Sequence, residues 1–117
     1  MRLLGATAVT LTLALAPSAG AADGPRYDVP PGFVRCPHAQ ALGGFFKWAS
    51  VHRTTCRTAA SFMRAYGARE AAIGTMPRAL HGYRCAIRYW RNADGDIFAS
   101  RHMCRRSNVA IRFYGMA

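Results

Sequence analysis

Few residues in this chain are equipped to do chemistry. Asp94 and Asp96 flank Gly95 in the stretch "RNADGDIF" (Arg91 to Phe98), and they are two of only five acids in 117 residues. Such a cluster could be a calcium loop, a carboxylate pair for acid–base work, or a tight turn. A calcium loop with Gly95 at its sixth position would begin at Trp90 and end at Arg101, where carboxylates are required. A glycosidase pair fails too, because carboxylates flanking a tight turn do not oppose each other across a cleft. No glycine-rich phosphate loop, Gly-x-Ser-x-Gly elbow or His-Glu-x-x-His motif occurs. One enzyme class survives, a small basic ribonuclease with His81, His102 and Glu70 for proton transfer beside arginines on the phosphate. Nothing in their spacing ties these residues together.

The compartment decides what the cysteines can do. Residues 1–21, "MRLLGATAVTLTLALAPSAGA", carry one charge at Arg2, an apolar run, and the small-residue site Ala19-Gly20-Ala21. That is the anatomy of a secretory signal peptide cut after Ala21. The apolar run is shorter than the roughly 20 residues a spanning helix needs, so no membrane span is expected in the mature chain. Export and cleavage leave 96 residues, one small domain that gains from covalent support. Cys36, Cys56, Cys85 and Cys104 therefore read as two disulfides. Their spacings, with 19, 28 and 18 residues between, contain no zinc-binding pair, and neither a metal nor a cofactor is expected.

Charge points to partners. The chain has 16 basic residues against five acids, a formal +11, and losing Arg2 with the leader makes the mature part +10. Every basic residue but Lys47 is arginine. A field of that size attracts polyanions and weakens with salt. Anionic envelope polymers and acidic proteins are the natural candidates, with nucleic acid a further one that no motif supports.

Elements must position these groups. Residues 22–32 hold three prolines and two glycines and read as a flexible leader. "FVRC" and Phe45 to Val51 read as short strands. "TTCRTAASFMRAYG" reads as a helix with Thr54 or Thr55 as N-cap and Gly67 as C-cap, its apolar face formed by Cys56, Ala59, Ala60, Met63 and Tyr66. A further helical turn at "AREAA" follows within a mixed connection. The last third reads as a three-stranded meander, Tyr83–Arg91, Asp96–Cys104 and Val109–Tyr114.

Asp-Gly between two alternating runs signals a two-residue type I′ hairpin turn. That register pairs Tyr89 with Ser100, Ile87 with His102 and Cys85 with Cys104. A four-residue turn at Arg105–Asn108 then pairs Cys104 with Val109 and His102 with Ile111. Alternation sends Tyr83, Cys85, Ile87, Tyr89, Phe98, Cys104, Val109, Ile111 and Phe113 to one core face. His102 also falls there, as a hydrogen-bonded histidine at the core edge rather than a catalytic one. The opposite face aligns Arg88, Arg101 and Arg112 in one row and Trp90, Ala99 and Tyr114 in the next, with Arg84 and Arg105 extending the basic band. Like charges directly opposite each other destabilise a sheet, so such a face either meets anions or is well solvated. Arginine beside aromatic rings suits phosphates and carboxylates; the competing view is that the arginine stems merely cover Trp90 and Tyr114. Cys85 and Cys104 fall at a hydrogen-bonded pair, a poor place for a bridge, which favours Cys56–Cys104 with Cys36–Cys85.

The helix "TTCRTAASFM", then "GYRC", then a second cysteine before "VAIRFYG", resembles small exported actinobacterial proteins that carry a Thr/Ser-Cys-x-x-Ala helix and a two-cysteine β-hairpin. The likeness spans about residues 33 to 115 and implies an exported, disulfide-stapled α+β domain with no catalytic residues. The expectation is thus one α+β domain over residues 33–117, with one main helix on a three- to four-stranded antiparallel meander. Its function is expected to be non-enzymatic binding of an anionic polymer or acidic protein through Arg84, Arg88, Trp90, Arg101, Arg105, Arg112 and Tyr114. The alternatives are an inhibitor of an extracellular hydrolase, presenting a loop such as Gly74 to Gly82, and the ribonuclease.

Overall fold

In the computed structural model, which describes residues 24–117, the alternating runs of the last third form three long strands: β4 (Tyr83–Arg91), β5 (Ile97–Arg106) and β6 (Val109–Met116). The signal-peptide reading of residues 1–21 lies outside the described residues. Before the meander come β1 (Val34–Cys36), β2 (Phe46–His52), the helix α1 (Cys56–Ile73) and β3 (Ala79–Leu80). The sheet has six strands in the order β1-β2-β6-β5-β4-β3, every pair antiparallel. The α+β class with one helix and two disulfides is as expected, but three to four strands is too few. β1 and β3 span three and two residues, too short for any periodicity to show in sequence.

Thr55 caps α1, its side chain accepting a hydrogen bond from the Thr58 N–H. The helix does not stop at Gly67. It runs on to a left-handed C-cap at Gly74 (φ 79°), absorbing the turn expected at "AREAA". Gly67 is instead a close-packing site, where a Cβ would lie 2.9 Å from Leu42 Cγ. Ala59, Phe62, Met63 and Tyr66 lay the apolar stripe of α1 over the sheet against Phe46, Tyr83, Ile111 and Phe113, and all of these are buried. Each large side chain taken fully from water contributes about 1.5–3 kcal/mol. Phe46 meets the rings of Tyr66 and Phe113 edge-on, at 5.5 and 5.4 Å between centroids. Tyr89 and Phe98, expected in this core, are exposed (38 % and 36 %), since they lie at the hairpin tip beyond the core cluster.

The first hairpin reaches its expected register by an unexpected route. Cys85 pairs with Cys104, Ile87 with His102, Arg88 with Arg101 and Tyr89 with Ser100. The turn itself is longer: Gly95 N–H donates to Asn92 O, Asn92 N–H donates to Asp96 O, and only Gly95 has positive φ (87°). Asn92 organises it, its side-chain oxygen accepting from the Asp94 and Asp96 N–H groups at 2.9 and 3.0 Å. The extra loop residue is cancelled by a bulge at Phe98, between the pairs Arg91–Ile97 and Trp90–Ala99. A bulge also exchanges which pairs are hydrogen-bonded. Cys85 and Cys104 consequently stand only 3.9 Å apart at Cα, nearer the narrow non-hydrogen-bonded spacing, and they are disulfide-bonded to each other. Cys36 bonds Cys56. The expected pairing of Cys56 with Cys104 and Cys36 with Cys85 is therefore corrected, because it rested on the wrong hydrogen-bond parity.

The second hairpin departs by two residues. Its loop is only Ser107-Asn108, with Ser107 at φ 55°, so Arg106 pairs with Val109, Cys104 with Ile111 and His102 with Phe113. A shift of two leaves every side chain on its expected face but moves it to another row. The two disulfides place the domain in an oxidising compartment. No helix among the described residues is long and apolar enough to cross a membrane.

Candidate functional site

The sheet face away from α1 holds the predicted arginines, in an altered arrangement. Arg88 and Arg101 are Cα partners across β4 and β5, and the next residue in that row is Tyr114, not Arg112. Arg84 and Arg105 form a second directly opposed pair. The two pairs are offset by four positions along the strands, about 13 Å. Arg112 is displaced to the row of Met103 and Ser50. The expected row of three arginines does not exist.

Arg112 is also unavailable to a ligand. It is only 7 % exposed, and its guanidinium donates to the main-chain oxygen of Asp28. Burial holds its pKa below the usual arginine range, with the Arg101 charge adding to the effect and Tyr114 and Asp28 opposing it. Tyr114 is 2 % exposed and lies beneath the arginines as a floor.

Residues 24–32, expected as a flexible leader, lie across this face without regular secondary structure. Tyr27 stacks on Trp48 at 5.8 Å, its hydroxyl donates to Ala49 O, and it accepts from the Cys36 N–H at 3.2 Å. Arg35 lies 4.5 Å from the Tyr27 ring centroid. Between this segment and the sheet runs a groove of about 270 Å³, walled by Arg26 and Asp28 on one side and Arg88, Trp90 and Arg101 on the other. Arg88 sits 4.4 Å and Arg101 5.9 Å from the Trp90 ring centroid. The indole thus steadies two cations that repel each other. Of the seven predicted binding residues, Arg88, Trp90, Arg101 and Tyr114 line the groove, while Arg84 and Arg105 are exposed along the same face. Arg26 was missed, because an unpatterned proline-rich segment carries no signal of where it packs.

His81 and His102, the two histidines suited to proton transfer, are not brought together. His102 is fully buried, with Ser100 Oγ 2.7 Å from Nε2 and Tyr66 Oη 2.9 Å from Nδ1. Tyr66 Oη also donates to Pro77 O at 2.8 Å. A carbonyl can only accept, so one proton arrangement satisfies all three bonds. Tyr66 gives its proton to Pro77, His102 Nδ1–H donates to Tyr66, and Ser100 O–H donates to Nε2. Burial keeps the imidazole neutral by pushing its pKa down to about 3. Serine, histidine and tyrosine in a chain could in principle activate a nucleophile. Here Ser100 is 1 % exposed, and the cavity it lines holds about 40 Å³, room for a water or two. His81 is exposed on the β3–β4 turn, away from the sealed His102, so the two histidines share no cleft. Among the described residues, no cluster of three or more His, Cys, Asp or Glu could hold a metal.

Compared with known proteins, the chain matches no family model, no curated protein and no solved structure.

Proposed function

We propose that this chain is an exported binding domain, without catalytic activity of its own, that holds an anionic envelope polymer along the face of Arg84, Arg88, Trp90, Arg101 and Arg105. One observation carries the reading: two arginine pairs stand directly opposed on adjacent strands, Arg88 with Arg101 and Arg84 with Arg105. Each opposed pair costs stability in the free protein, and a ligand that neutralises both recovers it. Guanidinium groups match carboxylate and phosphate oxygens in a two-pronged geometry. The spacing of about 13 Å between pairs suits a chain with repeated charges rather than a single small anion. Trp90 offers an aromatic surface between the cations, and Arg26 closes the groove from the other side.

The test is retention on immobilised heparin or anionic wall polymer near physiological salt. Arg88→Ala/Arg101→Ala should elute at much lower salt, with the salt dependence of binding reduced by roughly two charges. Arg112 is left out of the substitution because its role is to hold Asp28. Unchanged retention of the double variant would sink the proposal, and degradation of RNA by the purified protein would redirect it to the ribonuclease.

A further inference from the structure

A second basic groove, of about 320 Å³, lies on the helix side of the sheet. Its walls come from three elements: Arg57, Thr58 and Ser61 in the first turns of α1, His81 in the β3–β4 turn, and Arg106 at the end of β5. Phe62 and Tyr83 form the floor, and none of the lining residues is acidic. Two arginines, a histidine and two hydroxyl-bearing residues therefore line one concave volume.

Arg106 is already in place. Its guanidinium lies 4.6 Å from the Tyr83 ring centroid, and Nη1 donates to His81 O at 3.0 Å. One N–H is spent on that bond, and a guanidinium has five. The turn that carries His81 has the two consecutive positive φ values, 51° at His81 and 79° at Gly82, that a type I′ loop requires. A Cβ at Gly82 would stand 3.1 Å from Arg106 Cδ, so glycine also leaves room for the arginine stem. Arg57 is exposed on the opposite wall. Donors that converge from three directions suit a compact tetrahedral oxyanion, whereas the groove on the other face suits an extended strand. Two arginines match two negative charges, and a phosphodiester carries only one.

We propose that the groove between α1 and the β3–β4 turn binds a dianionic phosphate group through Arg57, Arg106, His81 and the hydroxyls of Thr58 and Ser61. This site is independent of the polymer-binding face, so the failure of either leaves the other standing.

The experiment is an amide NMR titration of the chain at constant ionic strength with inorganic phosphate, methyl phosphate and dimethyl phosphate. Saturable shifts at Thr58, Ser61 and Gly82 are expected with the first two and not with the diester. A tighter response to methyl phosphate assigns the site to monoester ends, and an equal response assigns it to the free anion. Arg57→Ala and Arg106→Gln should each raise the midpoint at least tenfold, while Arg64→Ala, a charge-matched change elsewhere on α1, should move it less than twofold. Because the Arg106 stem covers Tyr83, the exposed Arg57→Ala variant decides alone if Arg106→Gln does not fold. Non-saturating shifts, an equal response to dimethyl phosphate, or an equal loss in Arg64→Ala would overturn the proposal.

Discussion

Arg88 stands directly opposite Arg101 across β4 and β5, and both guanidinium groups lie within 6 Å of the Trp90 ring centroid. The pair is a local conflict that the fold tolerates. Cross-strand like charges cost a fraction of a kcal/mol up to about 1 kcal/mol, more at low salt. A residue set that lowers stability while crowding one face is expected where a ligand supplies the missing charge.

Arg101→Glu converts the repulsion into an attraction. It should raise stability toward denaturant by about 0.5 kcal/mol in low salt, a gain that shrinks at high salt, while heparin releases it at much lower salt, as with the double alanine variant. Denaturant midpoints at two ionic strengths, read beside elution salt, separate the effects. A variant that loses both stability and retention would show that the arginine packs rather than binds.

His102 links stability to pH. Its folded pKa of about 3 lies below the unfolded value of 6.5, so the unfolded chain takes up a proton that the folded one refuses. The contribution is complete above pH 6.5 and is lost as pH falls toward 3, with a slope of up to about 1.4 kcal/mol per pH unit. His102→Gln should have a lower denaturation midpoint at pH 7 and a flatter profile between pH 6 and 4. An unchanged slope in that variant would place the acid sensitivity elsewhere.

The two bridges should be separable by peptide mapping under non-reducing conditions, which should yield Cys36–Cys56 and Cys85–Cys104 peptides. Replacing either pair by alanine should cost about 2–4 kcal/mol, since each closes a chain separation of 20 or 19 residues. Recovery of a Cys56–Cys104 peptide would contradict the hydrogen-bond parity that brings Cys85 and Cys104 to 3.9 Å at Cα.

Gly115 has no room for a side chain. A Cβ there would lie 2.8 Å from Ser100 Oγ and 2.9 Å from Phe45 Cε1. Gly115→Ala should cost about 1–3 kcal/mol by overpacking and disturb the Ser100–His102 hydrogen bond. Thermal unfolding gives the first effect and the pH profile the second. A neutral substitution would mean that Phe45 and Ser100 yield easily.

The sequence by itself determined what depends on local periodicity and composition. Alternation from Tyr83 onward predicted which residues share a sheet face, and between β5 and β6 that survived the change of register, because a slip of two residues preserves the side. The Thr55 cap, the apolar stripe of α1 and the hairpin pairing of Cys85 with Cys104 were legible for the same reason. Tertiary structure decided everything that depends on distance between segments remote in sequence. The bulge at Phe98 set the hydrogen-bond parity, and with it the disulfide partners. The two-residue loop at Ser107-Asn108 moved Arg112 out of the arginine row, and Asp28 then took it as a donor. Gly67, which ends a helix by composition, lies inside α1 and leaves the space that the Leu42 side chain fills. Arg26 joined Arg88 and Arg101, and Arg106 met Arg57 and His81, only when chain packing closed the grooves between them. No periodicity encodes such meetings, since they follow from where whole elements come to rest.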